Sequence, residues 1–188
     1  KLLLSATGAE KESIKRKIGS TYNVLGHNTI SKGNFPEGLK YSFLALKVRE
    51  EIGDKQGIAD TEYNIGNIYS SQGNYTEALK HYEISLKQSI EIGNKKDIPW
   101  AYNTIAWVYI SQGNFAEALK RCNVALKLAE EINDEFILGQ IYSNLGIIYE
   151  SQGNYSDALK YHFNALKIFE RIGNNEALPF IYNVICSV

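Results

Sequence analysis

The residues that could do catalytic or metal chemistry in this sequence are few and scattered. His27, His81 and His162 occupy three different positions of the repeat described below, so no two of them share a face that would build a metal site. The sequence contains no Walker loop, no G-x-G-x-x-G motif and no nucleophile elbow. We therefore predict no catalytic residues, no metal site and no cofactor, and we expect a protein that is not an enzyme.

Cysteine chemistry is also limited. Cys122 and Cys186 are too few for a disulfide framework, and they occupy repeat positions where small residues would be buried. We expect two buried free thiols. This cysteine usage does not indicate an oxidising compartment, and we expect a cytoplasmic location.

The charge balance argues against two large classes of partner. The chain of 188 residues has 20 basic and 21 acidic side chains and a formal net charge of −1. It therefore has no electrostatic basis for binding nucleic acid or an anionic membrane surface. No apolar run approaches the roughly 20 residues that span a bilayer. The sequence lacks methionine and stops inside a repeat, so we expect a fragment of a longer protein.

The sequence is organised by a short motif that occurs four times. Ser-Gln-Gly-Asn-Tyr at 151–155 has counterparts at 31–35, 71–75 and 111–115, which sets a period of 40 residues. A fixed period of this size is typical of stacked-repeat proteins. Counting from Gly19 as position 1, we predict four full repeats, a truncated fifth and an N-terminal flanking or capping helix. These segments are 19–58, 59–98, 99–138 and 139–178, then 179–188, and 1–18.

Each repeat reads as two helices joined by the Gly-Asn turn. Glycine or alanine recurs at position 8 of the first helix, which predicts close approach of a neighbouring helix. Pro99 and Pro179 at position 1 predict a kink or a later helix start. In the flanking segment, Leu2 to Leu4 resemble the end of a helix, and Thr7-Gly8 its stop. The residues expected to cap the first helices of later repeats are Asp54, Asn94, Asp134 and Asn174.

The first-helix pattern resembles the tetratricopeptide repeat, W-x2-L-G-x2-Y, and reads Tyr142-x2-Leu145-Gly146-x2-Tyr149 in the fourth repeat. One departure is Glu62 at the first aromatic position, where Tyr63 could compensate. The resemblance implies an all-α fold, a right-handed α-α superhelix of antiparallel helix pairs. The 40-residue form is similar to repeats of kinesin light chains, spindle-orientation adaptors, Rap-type regulators, and bacterial sensor kinases and cyclases. It implies a docking or sensory module within a larger signalling protein.

The resemblance also implies a concave groove lined by positions 2, 5, 9 and 12 of the first helices. Two interpretations of the tryptophans stay open, since they could be exposed binding residues or could pack against neighbouring repeats. By resemblance, groove asparagines would grip a peptide backbone, although each could equally bond to its own helix or to water. The predicted groove residues are Trp100, Asn103, Trp107, Ile110, Asn23, His27, Tyr63, Asn64, Asn67, Asn144 and Ile147.

The groove positions contain no lysine or arginine, which favours a neutral or apolar peptide over an acidic one. Lysines instead recur on the second helices, at positions typical of a solvated outer face. They are Lys40, Lys47, Lys80, Lys87, Lys120, Lys127, Lys160 and Lys167.

We therefore expect a non-catalytic module that binds a protein or peptide segment in its groove. The alternative is a self-associating spacer that dimerises an attached signalling domain. An apolar, uncapped C-terminal edge would support the spacer by forming a homo-oligomer. This edge comprises Ile181, Val184, Ile185 and Val188.

Overall fold

The computed structural model describes residues 7–187, without the side chains of Phe180, Cys186 and Ser187. The predictions for Leu2 to Leu4, for the thiol of Cys186 and for Val188 therefore lie outside the described residues. Between 7 and 187 the elements are nine helices and the fold is all-α, as predicted. They are α1 (Gly8–Ile30), α2 (Phe35–Glu51), α3 (Lys55–Ser71), α4 (Tyr75–Ile92), α5 (Asp97–Ser111), α6 (Phe115–Ile132), α7 (Glu135–Ser151), α8 (Tyr155–Arg171) and α9 (Leu178–Ser187).

The chain forms two compact units, and the first comprises residues 1–93. Within it, α1 packs against α2, α3 packs against α4, and α2 contacts α3. Small residues such as Ala45 and Ala78 are fully buried, as are Ile65 and Tyr82. Apolar side chains of α2, α3 and α4 thus supply the fully buried core of the first unit, to which α1 contributes only Gly19 and Gly26.

The second unit comprises residues 94–188. Within it, α5 packs against α6 and α7 against α8, while α6 contacts α7 and α8 contacts α9. Its core includes Cys122, Ile141 and Leu145. Cys122 is fully buried, as predicted, and burial raises the pKa of its thiol to about 12. A thiol held protonated in this way is chemically inert at neutral pH.

The Gly-Asn turns have the predicted backbone conformation. Each turn glycine has a positive φ, between 73° and 79°, which an L side chain rarely adopts. The following asparagine then accepts a hydrogen bond from the backbone N–H three residues later, so it caps the second helix of the pair. These pairs are Gly33-Asn34, Gly73-Asn74, Gly113-Asn114 and Gly153-Asn154.

The first helices begin as predicted in two cases and later in two others. Asp54 and Asp134 cap α3 and α7 through their side chains. Asn94 precedes α5, which starts at Asp97, and its side-chain oxygen accepts hydrogen bonds from the backbone N–H groups of Lys96 and Asp97. Pro99 is then the third helical residue, where its missing N–H would have had no intrahelical partner. The later starts of α5 and of α9 confirm the prediction made from the prolines.

The N-terminal segment differs from the prediction. Thr7 is the N-cap of α1 and forms a capping box with Glu10, so Thr7-Gly8 marks a helix start that the sequence pattern did not predict. Helix α1 then continues without a break through Gly19 to Ile30. A single long helix therefore joins the segment predicted as a flanking helix to the first helix of the first repeat.

The glycine at position 8 is confirmed as a point of close approach. A Cβ placed on Gly66 would lie 2.6 Å from Tyr82 Cε1, and one on Gly146 would lie 2.3 Å from His162 Cε1. Repeat position 8, on the first helix, thus faces repeat position 24, on the second helix. Three such pairs are Gly26 with Ser42, Gly66 with Tyr82, and Gly146 with His162. Ala106 and Cys122 hold the same two repeat positions and lie in one core cluster.

The outer surface agrees with the charge pattern. All eight lysines predicted on the second helices are exposed. Among the described residues, three ion pairs join residues 36 apart in sequence, and each links the first helix of a pair to the end of the second helix. They are Lys15 with Glu51, Lys55 with Glu91, and Glu135 with Arg171. Because solvent screens exposed pairs of this kind, each contributes little to stability.

Candidate functional site

A cavity in the first unit collects four of the predicted groove residues. Its volume is about 210 Å³, and Ile30 and Ile68 supply its apolar wall. Its polar lining consists of Asn23, His27, Ser42, Asn64, Asn67 and Ser71. A few polar groups on an apolar wall are the usual composition of a ligand site.

Helical spacing explains how these side chains meet. Helix α1 contributes residues spaced by four and three, which places Asn23, His27 and Ile30 on one stripe. Helix α3 contributes a second stripe that includes Asn64 and Asn67. The two first helices of this unit therefore form the sides of the cavity.

Ser42 of α2 closes the cavity at its inner end. It is only 2 % exposed, and its hydroxyl donates to the Gly38 carbonyl at 3.1 Å. His27 and Ser71 are exposed, while Asn23 is half-buried. The cavity thus runs from an open polar rim to a buried floor.

The lining offers hydrogen bonds but no permanent charge. Asn67 Oδ1 accepts a hydrogen bond from the Tyr82 hydroxyl at 2.7 Å, which leaves its amide nitrogen to serve a ligand. Asn23 and Asn64 each carry both a donor and an acceptor. Tyr63, also predicted for the groove, is half-buried and packs on Tyr82 with ring centroids 5.4 Å apart, outside the cavity lining.

Two predicted groove asparagines of the second unit are internal instead. Asn144 donates to Asn103 Oδ1 at 2.9 Å, and the two side chains are 6 % and 7 % exposed. This bond joins α7 to α5 and pairs the amide nitrogen of Asn144 with the amide oxygen of Asn103. Ile110 is also buried in the core of this unit, and Ile147 is half-buried against the same core. The structure therefore places Asn103, Asn144 and Ile110 away from solvent.

The two tryptophans differ. Trp100 stacks on Phe136 with centroids 5.8 Å apart and planes at 16°, and Phe136 meets Phe169 edge-on. Trp107 is 45 % exposed. Trp100 thus packs on another ring of the same unit, whereas the Trp107 side chain is exposed to solvent.

Ser42 was missed by reasoning from the first-helix positions, because it lies on a second helix. A signal for it was present: position 24 carries Ser42 where the other repeats have Tyr82, Cys122 and His162, and serine is the smallest of these. A small side chain at a buried position leaves space.

The departure at Glu62 has a different compensation from the one predicted. Its buried carboxylate contacts His81 Nδ1 at 2.5 Å, and the imidazole stacks on Tyr69 with centroids 5.4 Å apart. Tyr63 packs on Tyr82 instead. His81 on α4 therefore provides the polar partner for the buried carboxylate of Glu62.

His162 is fully buried, and both ring nitrogens lack a hydrogen-bond partner. The nearest carboxylate oxygen belongs to Glu150, 4.0 Å from Nε2. Burial lowers the pKa of His162, which keeps the imidazole neutral. Across the described residues, no cluster of three or more His, Cys, Asp or Glu side chains could hold a metal ion. Among residues 7–187, no helix is long and apolar enough to cross a membrane.

The sequence matches models of one known family over the helix pairs described above. Tetratricopeptide repeat models match residues 17–83 and 57–131, and a further one matches 139–171. The chain belongs to the tetratricopeptide repeat family. Repeats of this family generally mediate protein–protein interaction. No curated protein sequence gives a significant match.

Three solved structures share the tetratricopeptide repeat fold at low sequence identity. BtubC (BKLC) from P. vanneervenii has a TM-score of 0.74 at 20 % identity, with 88 % of this chain and 74 % of BtubC covered. The apo form of RapI has a TM-score of 0.76 at 18 % identity, with 87 % and 46 % covered. A signal transduction ATPase with numerous domains and a tetratricopeptide repeat sensor, from Pyrococcus horikoshii, has a TM-score of 0.83 at 19 % identity, with 91 % and 27 % covered. The chain thus spans less than half of the last two proteins.

Proposed function

We propose that this protein is a non-catalytic interaction module that binds a neutral peptide segment on the face formed by α1 and α3. The observation that carries this proposal is the shared cavity, because four residues predicted for the groove or beside it line it together. They are Asn23, His27, Asn64 and Asn67.

The chemistry of the lining supports a neutral ligand. Amide groups can donate to and accept from a peptide backbone, and they do so without selecting its side chains. The lining holds no lysine or arginine, so it offers no ion pair to an acidic segment. The apolar wall of Ile30 and Ile68 would bury part of the ligand.

A role within a larger signalling protein extends this proposal. The ATPase from Pyrococcus horikoshii is described as carrying its tetratricopeptide repeats as a sensor. By analogy of fold, this chain would be the part that detects a partner. In the second unit, exposed Trp107 is the residue we propose for an additional contact.

Peptides selected from a random library displayed on phage would test the proposal. We expect Asn64→Ala to weaken binding of the selected peptides at least about tenfold, since it removes hydrogen bonds at the cavity. Asn28→Ala is the matched control, because Asn28 is exposed on α1 but outside the lining. Equal binding by the wild type and Asn64→Ala, with circular dichroism showing both folded, would refute this site.

The alternative spacer function depends on the apolar edge of α9. Ile181 is buried against Phe169, and Val184 and Ile185 are half-buried. These three residues therefore expose less apolar surface than the sequence predicts. A concentration-dependent dimer in light scattering, lost on Ile185→Lys, would favour the spacer over the peptide-binding module.

A further inference from the structure

We propose that the cavity between α1, α2 and α3 receives the phenol ring of a tyrosine side chain from the bound peptide. This inference rests on the proposed function and names the side chain that the site recognises. It derives from a comparison of two helix pairs within the same unit.

In the α3–α4 pair, a tyrosine of the chain itself fills the space that corresponds to the cavity. The Tyr82 ring lies over Gly66, where the missing Cβ leaves room for it. Tyr63 packs on one side of the ring, and Asn67 accepts the hydrogen bond of the hydroxyl. Tyr82 is 2 % exposed and is among the largest fully buried side chains.

The α1–α2 pair has the same backbone arrangement with a smaller residue in it. Ser42 stands 40 residues before Tyr82, and it faces Gly26 as Tyr82 faces Gly66. The counterparts of Tyr63 and Asn67 are Asn23 and His27, and both line the cavity. The positions that enclose an internal tyrosine in one pair thus enclose an open cavity in the other.

The cavity is large enough for the ring. A cavity of about 150 Å³ engineered into another protein holds a benzene molecule. The cavity here measures about 210 Å³, with the apolar groups of Ile30 and Ile68 available to contact a ring. Asn23, Asn64 and the free amide nitrogen of Asn67 can serve a hydroxyl, which a buried phenol requires.

The same lining discriminates against related side chains. A phenylalanine ring would displace water from these polar groups without replacing its hydrogen bonds, which costs affinity. A phosphotyrosine carries about two negative charges, and the lining has no lysine or arginine to pair with them. Unmodified tyrosine is therefore the aromatic side chain that fits best.

Three small probes that differ only at the ring substituent test this inference. They are N-acetyl-tyrosinamide, N-acetyl-phenylalaninamide and N-acetyl-O-phosphotyrosinamide. We expect the tyrosine probe to cause saturable NMR shifts of the Asn23, Asn64 and Asn67 side-chain amides. The phenylalanine probe should bind at least about tenfold more weakly, and the phosphorylated probe should not bind. Equal affinity of the first two probes, or shifts confined to other residues, would overturn the inference.

A tyrosine placed at either of two sites sharpens the test. Ser42→Tyr should fill the cavity with its own ring and abolish binding of the tyrosine probe. Asn28→Tyr, which adds the same ring at an exposed residue of α1 outside the cavity lining, should keep it. Retained binding by folded Ser42→Tyr would refute the site. Should that variant fail to fold, the probe series on the wild type still decides.

The phage-selected peptides separate this inference from the proposed function. Enrichment in tyrosine, with binding lost on Ser42→Tyr, would support both. Peptides that lose binding on Asn64→Ala but carry no conserved tyrosine would leave the proposed function standing and overturn the inference. Saturable shifts from the tyrosine probe, without selection of any peptide, would support the cavity's ligand and overturn the peptide-binding function.

Discussion

The Tyr82 ring packs directly on the Cα of Gly66, and a Cβ at that position would lie 2.6 Å from Tyr82 Cε1 and 2.7 Å from Cδ1. Real Cβ atoms do not approach ring carbons so closely, because the overlap is strongly repulsive. The glycine inside α3 is therefore required by the residue that faces it, at the expense of helix propensity.

Gly66→Ala should destabilise the protein in spite of alanine's better helix propensity. Overpacking a core costs about 1–3 kcal/mol, and the gain from propensity offsets about 1 kcal/mol of that. We expect urea denaturation to show a net loss of up to about 2 kcal/mol. In the double variant Gly66→Ala with Tyr82→Cys, which copies the Ala106–Cys122 pair, the overlap is removed.

The double variant should therefore be less destabilised than the sum of Gly66→Ala and Tyr82→Cys measured separately. Gly8→Ala is the matched control, because no heavy atom lies within 4 Å of a Cβ at that position. Additive effects in the cycle would show that Tyr82 does not impose the glycine.

The buried amide pair of the second unit predicts a structural role for two asparagines. Asn144→Ala removes the donor to Asn103 Oδ1 and leaves a buried acceptor unsatisfied, which costs about 1–3 kcal/mol. We expect a lower free energy of unfolding by this amount, whereas exposed Asn28→Ala should change it by less than about 0.5 kcal/mol. Similar stability of the two variants would contradict the buried hydrogen bond.

Much of the fold follows from the sequence because its signals are local. The turn at Gly73-Asn74 needs only a residue that tolerates positive φ and a side chain that caps the next helix. The late start of α5 follows from the fixed φ and missing N–H of Pro99. By contrast, the pattern of threonine before glycine favours the end of a helix, so it does not predict the capping box that Thr7 forms at the start of α1.

The two tryptophans should respond differently to truncation. Trp100 stacks on Phe136, so Trp100→Ala should lower the free energy of unfolding by about 3 kcal/mol. Trp107 is 45 % exposed, so Trp107→Ala should cost less than about 1 kcal/mol. Thermal melts followed by circular dichroism would measure both. A larger loss for Trp107→Ala would show that its ring is packed.

Buried His162 predicts a stability that falls in mild acid. Because burial lowers its folded pKa, the unfolded chain binds a proton first as the pH decreases. Its contribution to stability is complete above the ordinary pKa of about 6.5 and is lost as the pH falls through the lowered folded value. His162→Phe removes this titration, and Gly146 leaves room for the ring.

We therefore expect the stability of His162→Phe relative to the wild type to increase between pH 7 and pH 5, as measured by urea denaturation at each pH. The difference arises from the proton that only the wild-type unfolded chain takes up at residue 162. Parallel pH profiles of the two proteins would contradict the lowered pKa.

The candidate site was harder to predict than the fold, because its residues depend on contacts between helices. Helical periodicity placed Asn23 and Asn67 on suitable faces, and both line the cavity. The same periodicity chose Asn103 and Asn144, but their mutual hydrogen bond turns them inward. Whether an asparagine bonds to a side chain of a neighbouring helix or faces solvent depends on the distances between the two helices. The sequence pattern of one helix does not contain those distances.

The identity of the residue that faces the position-8 glycine also determines how the chain could be re-engineered. An array made by copying residues 59–98 end to end would carry a filled site in every copy, because each has its own Tyr82. An array copied from residues 19–98, which include the α3 residues that line the cavity, would carry an open site every 80 residues. Duplication of that one segment would thus produce a multivalent receptor for polymers with regularly spaced side chains.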